Sequence, residues 1–245
     1  MINFIFLIFS QSTLFVEPPR IEKVYLKGRK YVETIQIEIQ NFPAHIEIYV
    51  EDFTIDEEGK VKFEKEGTFN FSLSPFIKIV PRSFDIEKGE RKEVRILINL
   101  PDTINSYEKW CMIIVRAYPK IEKTPRVFVV GEIGVPVYGM FENPLPVANL
   151  INIDKEKDKI YFLLENLSPV HIRVNGKAFI LNEENEKILE EDISNLVILP
   201  LKKRKFYFEI KGNPHLIKKG KYKFLCQINY GGEEDLVGEK EIELP

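Results

Sequence analysis

The sequence has few of the residues that build metal centres and disulfide frameworks. Its 245 residues include only two cysteines and three histidines. Neither a CxxC pair nor a cysteine–histidine cluster occurs, so the sequence predicts no zinc site or other metal site. Cys111 and Cys226 stand far apart, and we expect both to be buried free thiols that behave as small apolar groups. No cofactor is predicted either.

Sequence signatures of catalysis are missing too. The three histidines, His45, His171 and His215, follow prolines in the segments FPAH, SPVH and NPH, a composition typical of turns. No serine, cysteine or aspartate stands in a nucleophile-elbow context, and no glycine-rich phosphate loop follows a strand. We therefore predict that the protein is not an enzyme.

An excess of positive charge is also lacking. Lysine and arginine number 35 against 38 aspartates and glutamates, giving a formal net charge of -3. Without a basic excess to contact a phosphate backbone, no nucleic-acid partner is predicted. Hydrophobic residues make up 44% and charged residues 30%, which is the composition of a folded globular chain. The length favours two ordinary domains.

No apolar run is long enough to span a bilayer as a helix. The run at residues 2–9 is followed by Ser10 and Ser12, small residues placed for cleavage before Thr13. We interpret residues 1–12 as a signal peptide, which predicts the periplasm or the extracellular side of the cell envelope. No lysine or arginine precedes the run, so two alternatives remain open: a first β-strand, or a wrongly assigned start.

Most of the sequence follows the two-residue period of half-buried β-strands. The segment YVETIQIEIQN places Ile35, Ile37 and Ile39 on one face. Turn signals recur about every 8 to 12 residues, the spacing of an antiparallel sandwich. Asn175 and Gly176 give the strongest hairpin signal, and NEENEKILEEDISNL is the nearest approach to a helical turn.

The chain divides into two halves with the same organisation. The segment ENPLPVANL has the two prolines of a stiff connector and places a boundary near Asn143. We predict an all-β fold of two immunoglobulin-like β-sandwich domains in tandem, at residues 13–142 and 143–245.

A tyrosine stands four residues before a cysteine in both halves, at Tyr107 and Tyr222. This placement resembles the tyrosine corner of immunoglobulin-like sandwiches. We expect both tyrosines, together with Trp110, to be core and corner residues.

The valine-rich segment PRVFVVGEIGVPVYGMF predicts one long strand. Pro136 cannot donate a ladder hydrogen bond, so the strand is predicted at the edge of its sheet, at least near its end. Its alternation places six residues on one side: Val127, Val129, Gly131, Ile133, Val135 and Val137. This apolar side belongs either to the core of its own domain or to a surface that binds a partner.

The order of these segments resembles the PapD-like periplasmic chaperones of pilus assembly. The motif that carries the resemblance is a corner followed by a strand, formed here by Pro81, Phe84, Ile86, Gly89, Val94, Arg95 and Ile96. The resemblance implies a chaperone that inserts its edge strand into an exported pilus or surface subunit lacking a strand. The same six residues on the valine-rich strand would then contact the subunit. We expect a monomer, or weak self-association through this strand.

The resemblance also implies a basic anchor for the subunit's terminal carboxylate. Arg20 matches its first residue, and an arginine fork suits a carboxylate. Where the family has a lysine on the valine-rich strand, this chain has Glu132 or Gly134. A basic residue supplied from elsewhere, such as Lys202 or Arg173, would favour the chaperone. An acidic or aliphatic site favours the alternative, a structural or adhesive envelope protein; a carbohydrate-binding accessory domain is a third hypothesis.

Overall fold

The computed structural model describes residues 14–120, 130–156, 159–209 and 220–244. Within these ranges the chain is built of β-strands and one 3₁₀ turn at Ser74–Phe76. No helix in the described ranges is long and apolar enough to cross a membrane. The predicted signal peptide, residues 1–12, and two predicted contact residues, Val127 and Val129, lie outside the described residues.

Ten of the strands precede the predicted connector. They are β1 (Leu14–Glu17), β2 (Ile21–Val24), β3 (Lys30–Ile39), β4 (Ala44–Ile55), β5 (Val61–Lys65), β6 (Ile77–Val80), β7 (Ser83–Ile86), β8 (Arg91–Asn99), β9 (Glu108–Pro119) and β10 (Gly131–Met140). They form two sheets, one in the order β1-β3-β8-β6 and one in the order β2-β10-β9-β4-β5, with β7 also paired to β4.

Seven further strands form the second half, and the first of them begins at Ala148, inside the predicted connector. They are β11 (Ala148–Glu156), β12 (Lys159–Asn166), β13 (Ile172–Leu181), β14 (Lys187–Ile198), β15 (Lys203–Glu209), β16 (Gly220–Asn229) and β17 (Leu236–Leu244). They form a three-stranded sheet, β11-β12-β15, and a four-stranded sheet, β14-β13-β16-β17. The predicted all-β fold with two immunoglobulin-like sandwiches is confirmed.

The chain separates into two compact units. The first contains residues 1–53 and 63–141, and the second contains residues 54–62 and 142–245. The division after Phe141 lies close to the predicted boundary. The end of β4 and the turn after it are thus grouped with the second unit, which sequence patterning did not anticipate.

The two-residue period of the sequence forms the core of the first unit. Ile35, Ile37 and Ile39 on β3 are fully buried, while the residues between them are only partly buried. Ile46 and Ile48 on β4 are buried in the same cluster from the opposite sheet. Each buried side chain of this size contributes roughly 1.5 to 3 kcal/mol, so alternation fixes which face of each strand turns inward.

The motif that carries the family resemblance joins the two sheets of the first unit. β6 pairs with β8 in one sheet, whereas β7 pairs with β4 in the other. Gly89, at φ 76°, forms the corner before β8, and its N–H donates to the carbonyl of Ile39 at 2.7 Å. Arg95 is exposed and lies 3.4 Å from Glu93, as expected for a solvated strand residue.

Two local predictions in the second unit are wrong. β13 runs straight through Asn175 and Gly176, where the register shifts as in a β-bulge, instead of turning into a hairpin. The peptide at Gly176 packs against the next strand, because a Cβ there would lie 2.1 Å from the carbonyl oxygen of Gln227. The predicted helical turn is instead a short loop and the long strand β14.

We expect Gly176→Ala to lower the free energy of unfolding by about 1 to 3 kcal/mol, because the new methyl group forces β13 and β16 apart. Urea denaturation followed by far-UV circular dichroism measures this change. Gly231→Ala is a poor control because its φ of 85° strains any side chain. Ser194→Ala, on an exposed position of β14, is a better one and should change stability little.

The isolated residue predictions had mixed outcomes. Cys111 and Cys226 are free and buried, as expected, and burial raises the pKa of the Cys226 thiol to about 11. Trp110 lies in the core, but Tyr107 is 43% exposed and is therefore not a core residue. His45 was predicted to lie in a turn, yet it is the second residue of strand β4.

Candidate functional site

Strand β10 is paired along its whole length on one side and along only part of it on the other. β9 pairs with every residue from Gly131 to Met140. On the second side, β2 pairs in parallel with Val137 to Met140 only. In the part of the chain that the structure describes, residues 131–135 have no strand on this side. We call the backbone of residues 131–135 the free edge.

The direction of each backbone group on β10 follows from hydrogen bonds at its end. The carbonyl of Met140 accepts from Tyr25 N–H at 2.7 Å on the β2 side, whereas Phe141 N–H donates to the carbonyl of Tyr107, beside β9. Backbone groups alternate in an antiparallel ladder, and the register between β10 and β9 is continuous. The even-numbered residues Glu132 and Gly134 therefore direct their N–H and C=O groups to the free edge.

The same alternation explains why a proline is tolerated in β10. The nitrogen of Pro136 lies on the side that faces away from β9, so its missing N–H removes no bond from that ladder. Pro136 stands where pairing with β2 begins, one residue before Val137. The sequence-based prediction of an edge strand agrees with the pairing only over residues 131–135, and it is wrong for the end of the strand, where β2 pairs with Val137 to Met140.

The apolar side chains of β10 face the core of their own unit. Val135 and Val137 are fully buried, and Ile133 packs partly buried against the same cluster. The prediction that Val135 and Val137 present side chains to a partner is therefore wrong, because both side chains pack into the core between the two sheets. Val137 is also paired to Ile21 through its backbone. On the free edge, the outward hydrogen-bonding groups are therefore the backbone N–H and C=O groups of Glu132 and Gly134.

The outer face beside the free edge contains a compact polar cluster. Arg116 lies opposite Glu132 in the β9–β10 register, with its Nε 2.7 Å from the Glu132 carboxylate. The hydroxyl of Tyr49 donates to the same carboxylate at 3.1 Å, and the guanidinium lies 5.1 Å from the Tyr49 ring centre. Burial, and then the neighbouring Glu132, raise the pKa of Tyr49 to about 12.

Several solved structures are similar to this chain over nearly its whole length. The YadV chaperone is 11% identical with a TM-score of 0.50, covering 94% of this chain and 99% of that chain. The class 5 fimbriae chaperone CfaA is 15% identical with a TM-score of 0.49, covering 95% of this chain and 100% of that chain. A Salmonella enterica complex of SafA pilin with the SafB chaperone is 13% identical with a TM-score of 0.46. The match covers 96% of this chain and 97% of that chain.

The fold is that of the PapD-like chaperones. No protein-family model matches the chain, and no curated protein matches it. The likeness therefore concerns the arrangement of strands. In this chain, β1 pairs with β3 in one sheet and the following strand β2 pairs with β10 in the other.

The anchor that the resemblance predicts has no lysine on β10. Gly134 stands where a lysine was expected, and a Cβ at this position would lie 3.0 Å from the sulfur of Met112. Glu132, the other candidate position, is already neutralised by Arg116. Arg116 therefore offsets the negative charge that Glu132 would otherwise place beside the free edge.

Arg20, the first residue of the predicted anchor, directly precedes β2. Its Nε lies 3.4 Å from the carboxylate of Glu22, and its side chain is 39% exposed. An exposed pair of this kind contributes at most about 1 kcal/mol. Sequence reasoning missed both Glu22 and Arg116 as partners; the Arg116–Glu132 pair depends on the register between β9 and β10, whereas Glu22 lies only two residues from Arg20.

Proposed function

We propose that the protein is a periplasmic chaperone-like protein that binds exported pilus or surface subunits by donating its edge strand. The observation that carries the proposal is the free edge of β10, where Glu132 and Gly134 direct unshared backbone groups outward. Likeness of fold to the YadV chaperone supports it. The bound segment would be an extended strand of the subunit, since only a strand satisfies these groups in register.

The size of the free edge limits how tightly it binds by itself. At roughly 1 kcal/mol net per hydrogen bond, the outward groups of two residues supply a few kcal/mol, which corresponds to about millimolar affinity. Tighter binding needs buried apolar side chains at roughly 1.5 to 3 kcal/mol each. Val127 and Val129, and the partly buried Ile133, remain the predicted source of this contribution, and Gly131 remains a predicted contact residue between them.

A structural or adhesive envelope protein without chaperone activity is the second candidate. Two observations favour it: Arg20 already has an acidic neighbour in Glu22, and neither Glu132 nor Gly134 supplies the lysine that the resemblance predicts. Both weaken recognition of a terminal carboxylate. A protein of this class would keep the sandwich without capturing free subunits.

The Gly134→Pro variant tests edge donation, with Gly134→Ala as its matched control. Proline removes the outward N–H of residue 134 and places a ring on the free edge, whereas alanine adds only the Cβ that both variants share. We expect wild type and Gly134→Ala to capture the same exported proteins from an envelope extract. Gly134→Pro should capture about 10-fold less, the effect of losing some 1.4 kcal/mol.

The comparison is valid because Gly134→Pro should still fold. The N–H that it removes makes no bond to β9, and Ile133 before it is already in the extended conformation that a following proline requires. Thermal melting of both variants checks this point. Equal capture by the proline and alanine variants would show that β10 does not donate its edge, and would leave the structural candidate in place.

A further inference from the structure

A serine, a histidine and an aspartate form a chain of hydrogen bonds on the outer face of the sheet that contains β4. The Ser83 Oγ lies 3.0 Å from His45 Nε2, and His45 Nδ1 lies 2.7 Å from Asp85 Oδ1. The pairing of β4 with β7 produces this arrangement, because it places His45 directly opposite Asp85 and Glu47 opposite Ser83. A serine two residues from the aspartate on β7 thus reaches the second nitrogen of the ring.

The charge on Asp85 decides which ring nitrogen has the proton. Hydrogen bonds from Lys120 and then from His45 lower the pKa of the Asp85 carboxyl, and an ionised carboxylate only accepts hydrogen bonds. Nδ1–H of a neutral imidazole must therefore donate to Asp85. Nε2 then has the lone pair and accepts the hydroxyl proton of Ser83, which is the order of a nucleophile, a general base and an orienting carboxylate.

We propose that Ser83 is an activated nucleophile that accepts an acyl group from small activated esters, with His45 as its general base. Ser83 Oγ forms a bond to the ester carbonyl carbon, and the C–O bond to the leaving alcohol breaks. The hydroxyl proton of Ser83 passes to His45 Nε2 and from there to the departing oxygen. Asp85 is a positioning residue that holds the ring.

The site is exposed to solvent, and this exposure limits how much faster Ser83 reacts than an ordinary serine. The side chains of His45 and Asp85 are 38% and 54% exposed, so small reagents reach Ser83 but water screens the charges. General-base catalysis in enclosed sites contributes about 100-fold to 10,000-fold. At this exposed site we expect His45 to accelerate the acylation of Ser83 by about 100-fold or less. We therefore describe Ser83 as a modification site that is acylated once. This site is independent of the free edge, because β9 separates β4 from β10.

Acetylation by p-nitrophenyl acetate, mapped by peptide mass spectrometry, tests the proposal on the full-length protein. Ser194, an exposed serine on β14, is the internal reference. Ser83 should acetylate about 10-fold faster than Ser194, consistent with a modest general-base effect. His45→Gln should reduce Ser83 to the rate of Ser194. Asp85→Asn should slow it, and Asp85→Glu should restore part of the rate.

Two controls separate activation from a structural role. Thermal melting establishes that the His45 and Asp85 variants are folded. Free imidazole added to His45→Ala should restore acetylation of Ser83 but not change that of Ser194, which a structural role of His45 would not produce. Equal rates at Ser83 and Ser194 in the wild type, or an unchanged rate at Ser83 in His45→Gln, would overturn the proposal and leave a cross-strand hydrogen-bond network.

Discussion

Replacing Asp52 with alanine should lower the free energy of unfolding by about 3 to 5 kcal/mol, because three donors lose their buried acceptor at a cost of at least about 1 kcal/mol each. Asp52 is fully buried near the end of β4. Its carboxylate accepts from Phe69 N–H at 3.0 Å, from the Ser72 hydroxyl at 2.5 Å and from the Ser74 hydroxyl at 3.2 Å. Alanine leaves these donors without their acceptor in a site that excludes water.

Urea denaturation followed by tryptophan fluorescence measures this loss directly. The chain has one tryptophan, Trp110, which is stacked on Phe71 at 4.0 Å and donates to the carbonyl of Phe53 at 3.0 Å. Ser72→Ala is the control: it removes one hydroxyl and should cost about 1 kcal/mol. A loss of the same size in both variants would mean that Asp52 does not organise the network.

The strands of this protein were predictable because burial imposes a two-residue period. Ile35, Ile37 and Ile39 were assigned to one face from the sequence, and all three are fully buried. A strand with one solvated face leaves no other place for them. Where both faces are buried the pattern is lost: β9 reads as a nearly continuous apolar run from Trp110 to Val115, because both of its faces are covered.

Turn chemistry was less reliable than the period. Asn175 and Gly176 are the residues of a tight hairpin, yet here they occupy a bulge in which the Asn175 side chain accepts from Asn195 N–H at 2.8 Å. A glycine next to an asparagine serves either purpose. The close approach of β16, which requires glycine at residue 176, is a tertiary contact that local sequence does not record.

The sequence predicted that β10 is a strand, but not which of its side chains face the core. Pro136 identified an edge, because proline removes a donor wherever it stands. Which of the two apolar interpretations applied to Val135 and Val137 depended on the facing sheet. Similarly, His45 and Ser83 are separated by 38 residues, and only the register of β4 with β7 brings them together. His45 was placed in a turn on the strength of Pro43, which ends the turn just before β4.

Replacing Phe224 with alanine should lower the free energy of unfolding by about 3 to 5 kcal/mol, as large-to-small changes in packed cores do. Phe224 on β16 is fully buried, with its ring edge-on to Phe208 at 5.6 Å and tilted against Phe162 at 6.5 Å. Edge-to-face pairs contribute about 0.5 to 1.5 kcal/mol beyond burial. Alanine therefore removes both the transfer energy and the contacts that fix two neighbouring rings.

Leu225→Ala is the matched control for Phe224→Ala, since Leu225 is the next residue of β16, faces the opposite side of the sheet and is only partly buried. It should cost about 1 kcal/mol, near the centre of the distribution for single substitutions. Far-UV circular dichroism is the appropriate signal, because Trp110 belongs to the first unit. A loss as large for Leu225→Ala as for Phe224→Ala would mean that the aromatic cluster does not dominate the stability of the second sandwich.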